Sequence, residues 1–184
     1  LDTTWSPEFP IGAHTFSAVG VYRDQLFVTQ RGNSSIPPVL RLSATSGEFL
    51  ASWGEQDVAL ARPGNTWGAH GLSIERCNYP CVDNDIFPSL RVWIEDFTNH
   101  TVTSFSSSGK KILQIGTPGV AGNGSLQFDH VADAFVSPGY FAPSPAPVGP
   151  PPHPSPYGPS FVYATDGDGG LANRVMKIRV PNHA

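Results

Sequence analysis

Few residues in this chain have the type and spacing for chemistry. Cys77 and Cys81 stand four apart in the run CNYPC. That spacing fits a small disulfide loop closing the end of a hairpin. It also fits half a metal site, but a zinc site needs two further ligands and no second pair lies nearby. A disulfide implies an oxidising compartment. Three N-glycosylation sequons, at Asn33, Asn99 and Asn123, agree with that compartment. Asn99 also suits a turn, because its short amide satisfies backbone groups locally. The run DGDGG from Asp166 has the look of a calcium loop. An EF-hand would place Glu at its twelfth position, where Lys177 stands. Asp83-Asn84-Asp85 reads as a solvated turn, and Ser106-Ser107-Ser108 as another, with no His and Asp set for a nucleophile. His70 sits among small residues. It reads as a hydrogen-bonded buried histidine or as a single ligand, and one imidazole does not hold zinc.

The elements that would position these groups are short strands. In 89–116, Arg91 to Ile94 is β-branched and aromatic. A turn from Asp96 to Asn99 follows, then strands at 101–105 and 112–115, stopped by Gly116. Such an antiparallel meander cannot bury both of its faces alone. The pattern recurs at Phe161 to Ala164, Asp166 and Asn173 to Ile178, with inner strands expected at 69–74 and 131–136. A weaker copy has strands at 16–22, 26–29, 39–42 and 49–51, with Asn33 as its turn residue. Radially repeated meanders of this length are propeller blades. The expected fold is therefore all-β: a partial β-propeller of about three four-stranded antiparallel blades, the last lacking its outer strand. Residues 1–12 form an extended lead-in and 13–184 the blades. Residues 140–160 form a proline-rich loop inserted in the third blade. Nine of the 17 residues from Pro143 to Pro159 are proline, which favours polyproline II and cannot join a sheet. Trp53, Trp67 and Trp93 are expected between blades.

The 19 glycines and 19 prolines suit turn-rich β structure, and 39% hydrophobic residues are enough for a core. A net charge of −4 without a basic patch excludes nucleic acid as a partner. No run of 18 apolar residues spans a membrane. Leu1 is not an initiating Met, so the chain reads as processed or partial.

The pattern Asp-x-x-Asn-His/Arg-x-Val resembles the NHL-repeat propellers over roughly 13–180. Within that family, three segments are similar to the peptidyl-hydroxyglycine amidating lyase. Phe27 to Gly32 resembles the segment that carries the lyase's substrate-binding arginine, which puts that role on Arg31. His70-Gly71-Leu72 resembles a segment with a zinc-ligating histidine at His70 and a calcium-binding carbonyl at Leu72. The resemblance implies a second calcium carbonyl at Val19. Thr165 to Arg174 resembles the segment of the catalytic tyrosine, but Asp168 stands at that position. A carboxylate lacks the reach and pKa of a phenol. The zinc histidines of two further blades have no counterparts, and His130 falls on no ligand position. The runs Asp166 to Arg174, Gly116 to Gly119 and Leu126 to Asp129 resemble secreted NHL-repeat-containing proteins instead. The resemblance thus implies a non-enzymatic extracellular glycoprotein module for protein binding or structural assembly. A protein partner or self-association would complete the ring. The alternative is a lyase-like zinc enzyme with an incomplete site at His70 and Arg31.

Overall fold

A computed structural model describes residues 5–32, 35–60, 67–76, 90–137, 160–170 and 172–180. Cys77, Cys81, Asn33 and the proline-rich run at 140–159 lie outside these residues. Among the described residues there is no helix, and eleven strands make three antiparallel sheets. The first sheet is β1 (Phe16–Tyr22), β2 (Gln25–Gln30), β3 (Val39–Ser43) and β4 (Phe49–Trp53), in that order. The second is β5 (Ala69–Arg76), β6 (Leu90–Asp96), β7 (Thr101–Phe105) and β8 (Lys111–Ile115), also in order. The third is β9 (Val131–Ser137), β10 (Ser160–Asp166) and β11 (Arg174–Val180), with β10 in the middle. The leading strands adjoin, β1 against β5 and β5 against β9. This is the arrangement of consecutive blades in a partial β-propeller.

The blades pack face to face. Phe27, Val39, Trp53 and Tyr22 of the first sheet meet Leu72, Val92, Ile94 and Phe105 of the second. The other side of the second sheet sends Trp93, Val102 and Ile115 against Val131, Val136, Val162 and Met176 of the third. Because it is covered on both sides, β6 and β7 are buried at every position, which explains why the apolar alternation in 90–96 is weak. Trp53 and Trp93 lie in these seams as expected. Trp67 does not: it is 46% exposed and lies against the Phe97 ring, 5.1 Å away. It precedes β5, beyond the sheet whose face would bury it.

The lead-in lies on the outer side of the first sheet. Trp5 Nε1 donates to the Ala44 carbonyl, and Phe9 packs near Leu26, Val28, Leu40 and Leu42. Gly20 is required at the contact of β1 with β5. A Cβ there would sit 2.5 Å from Leu72 Cδ2. No described helix is long and apolar enough to cross a membrane.

Candidate functional site

Each leading strand carries one extra residue near its start. The register slips between Phe16 and Ala18 opposite Gln30 and Thr29, between Ala69 and Gly71 opposite Asp96 and Glu95, and between Val131 and Asp133 opposite Asp166 and Thr165. The extra residues are Ser17, His70 and Ala132. A bulge re-aims its side chain out of the ladder. Ser17 Oγ donates to the Ala69 carbonyl at 2.8 Å, and His70 Nδ1 donates to the Ala132 carbonyl at 2.9 Å. Each reaches the leading strand of the following blade, so His70 has a structural duty that Ser17 shares.

The free side of the His70 ring faces chemistry. Nε2 is 3.6 Å from Asp168 Oδ2. Phe97 lies 6.1 Å from the His70 ring and stacks on His130 at 4.3 Å and 24°. His100 is 5.2 Å from His130. Burial, then the neighbouring His130, holds the His100 imidazole below its ordinary pKa. Trp67 continues the aromatic row, with the Arg31 guanidinium 5.9 Å from its ring. Arg31 Nε and Nη1 are buried without a hydrogen-bond partner. The structure thus brings Arg31, His70 and Asp168 onto one polar and aromatic patch. Nothing in the spacing of Trp67, Phe97 and His130 announced their part in it. Their contacts arise only when the blades are set side by side.

Zinc does not fit this patch. His70 supplies one imidazole, and among the described residues no group of three His, Cys, Asp or Glu is placed to hold a metal. Val19 and Leu72, the residues implied for calcium through their carbonyls, lie on the adjoining strands β1 and β5.

The blade turns are clasped by side chains at one equivalent place. Asp96 accepts from the Asn99 backbone N and from Asn99 Nδ2, both at 2.9 Å, and from Ala59 N at 2.6 Å. Burial raises the Asp96 carboxyl's pKa although these amides oppose it. Asp166 accepts from Asp129 N at 2.7 Å and from Arg174 Nε at 3.0 Å. In the first blade the place belongs to Gln30, whose Nε2 donates to the Ile36 carbonyl and whose Oε1 accepts from Gly32 N. A neutral amide does there what a carboxylate does twice elsewhere, which is why the first copy looked weak. Asn99 is engaged in its turn. Asn123 is exposed, with its carbonyl accepting from Arg174.

No family model matches the chain. Over 186 aligned positions it is 29% identical to NHL repeat-containing protein 3 of Homo sapiens and 30% identical to that of Mus musculus. Each match covers 97% of this chain and 42% of the relative, so the chain spans less than half the length of the curated relatives it matches. These matches support an NHL-repeat family.

The blade repeat also explains the surface of the third sheet. An aromatic residue at the middle of the second strand points into the following seam: Phe27 in the first blade, Trp93 in the second. The equivalent residue in the third is Tyr163, which pairs with Phe135 on one side and Lys177 on the other. No described element covers that face. Phe135 is 66% and Val175 70% exposed. The Lys177 ammonium lies 4.3 Å from the Phe161 ring centre and 5.5 Å from that of Tyr163. Towards the Asp168 end, a hollow of about 490 Å³ opens beside Ala132, Thr165 and Arg174.

Proposed function

We propose that the chain is a non-enzymatic protein-binding module that receives a further β-blade on the open face of its third sheet. One observation carries this reading: Tyr163 and Val175 repeat, on an uncovered face, the positions of Phe27 and Val39 and of Trp93 and Val102, which the first two sheets bury against their neighbours, and the exposed Phe135 stands beside Tyr163. Apolar area of this kind is stabilised by burial at roughly 25 cal/mol per Å². The added blade belongs to a partner polypeptide, to a second copy, or to further repeats of the same protein. The Arg31, Trp67 and His70 patch is then a second contact surface, suited to an acidic or aromatic group. The module is extracellular and glycosylated at Asn123, whose exposed sequon supports that reading.

Native mass measurement of the 19.7 kDa chain over a range of concentrations tests it. Concentration-dependent association, lost in a Phe135→Glu, Val175→Glu variant, is expected. A folded, monodisperse monomer at every concentration would exclude a second copy as the source of the added blade. Expression through a eukaryotic secretory route should add a glycan at Asn123 that endoglycosidase removes and that Asn123→Gln lacks. Stoichiometric zinc lost in His70→Ala would favour the lyase-type reading instead.

A further inference from the structure

Glu95 occupies a place that the other two blades fill with threonine. Thr29 pairs with Ala18, Glu95 with Gly71, and Thr165 with Asp133. Both threonines have partners: Thr29 Oγ1 lies 2.8 Å from Ser17 Oγ, and Thr165 Oγ1 donates to the Asp133 carbonyl at 3.2 Å. Glu95 is fully buried; the Ser73 hydroxyl lies beside it, but neither carboxylate oxygen has a hydrogen-bond partner of good geometry. Its oxygen is aimed at a gap kept open by Gly71. The point where a Gly71 Cβ would sit is 2.5 Å from Glu95 Oε2, 3.1 Å from the Ala132 carbonyl oxygen and 3.2 Å from Asp133 Oδ1. Three oxygens, two of them from carboxylates, therefore converge between the second and third blades, and no described Lys or Arg pairs with either acid.

A buried carboxylate facing a second one is costly unless a positive charge lies between them. We propose that Glu95, Asp133 and the Ala132 carbonyl form a calcium site bridging the second and third blades. The donor set is all oxygen, which suits a hard cation. Calcium tolerates an irregular shell completed by water, whereas magnesium demands a near-ideal octahedron at about 2.0–2.1 Å. Asp133 is exposed and gives ion and water a route in. The Ala132 carbonyl already accepts from His70, and Asp133 Oδ1 accepts from Ala134 N at 3.0 Å, so both oxygens are held in place. These ligands differ from the carbonyls of Val19 and Leu72.

Calorimetric titration of the chelator-treated chain with calcium chloride, paired with thermal unfolding, tests the site. Saturable binding of one ion is expected, at least tenfold tighter than magnesium and accompanied by a rise in Tm. Glu95→Gln should stay folded, weaken calcium binding at least tenfold and lose the rise in Tm. Asp133→Asn, on the exposed side, should weaken binding similarly and decides the matter if Glu95→Gln fails to fold. Absence of saturable calcium binding would overturn the proposal. So would a Glu95→Gln or Asp133→Asn variant that binds as the parent does, which would place the ion elsewhere.

Discussion

The two seams of this molecule are built from equivalent positions with different chemistry. The seam between the first and second sheets is mainly aromatic, with Phe27, Trp53 and Phe105 at its centre, the Trp53 and Phe105 rings 5.0 Å apart, and the half-buried Arg41 reaching the Ser107 carbonyl at its edge. Its polar contact near the axis is a neutral hydroxyl pair, Ser17 and Thr29. The seam between the second and third sheets holds as large an apolar cluster but also buries ions. Arg91 lies 3.6 Å from Glu75, which also accepts from Trp93 Nε1 at 2.9 Å and from Ser160 Oγ at 3.0 Å. Glu95 and Asp133 add two acids that lack a counter-charge. One seam is held by packing; the other depends on every polar partner being present.

Changes to the second seam should therefore cost most. Trp93→Ala removes a fully buried indole and is expected to cost about 3–5 kcal/mol in denaturant unfolding. The sharper comparison is with phenylalanine. Trp93→Phe leaves Glu75 one donor short, at about 1–3 kcal/mol beyond the lost volume. Trp53→Phe removes an indole N–H that has no partner, so its cost should stay close to the volume term. Equal costs for the two would break the contrast.

Arg91→Met strands the Glu75 carboxylate in the seam and should cost about 3–5 kcal/mol. Adding Glu75→Gln should recover part of that loss in a double-mutant cycle. Burial lowers the Arg91 pKa while Glu75 raises it, so the pair's coupling, measured by the cycle, reports how dry the seam is.

Glu95→Gln should act in the opposite direction. Burial, then the Asp133 carboxylate, pushes the Glu95 carboxyl well above its ordinary range. The folded chain thus holds a proton that the unfolded chain releases above about pH 4.3. The parent's stability is full below that pH and falls as pH rises towards the folded value. Without divalent ions, Glu95→Gln should lack this slope and be more stable by about 1–3 kcal/mol at neutral pH. Thermal unfolding from pH 4 to 8 checks it.

The smallest effects are expected at the turns and rims. Asn99→Ala removes the Nδ2 bond to Asp96 and should cost about 0.5–1.5 kcal/mol. Lys111→Met breaks a surface ion pair with Asp57 at the rim of the first seam and should cost about 0–1 kcal/mol, less at high salt.

Local composition was enough to find the blades. Every expected strand is present, from Phe16–Tyr22 to Arg174–Val180, because β-branched and aromatic runs punctuated by Gly, Asp and Asn encode strands and turns over a few residues. The clasp residues Asp96 and Asp166 were legible for the same reason. Gln30 was not, since an amide in a strand end carries no turn signal. His70 stood out by type, but its placement by a bulge and its bond to Ala132 depend on a strand more than 60 residues away.

Taken alone, the residues of this chain determined its strands, its turns and the three-fold recurrence of one meander. Those features rest on backbone preferences acting between near neighbours. Tertiary structure decided which face of each sheet is covered, and hence why Trp93 is buried while Tyr163 faces an open surface. It also placed a glutamate at a threonine position beside a second carboxylate. Charge and burial are set by what packs opposite, and that is fixed only when the blades come together.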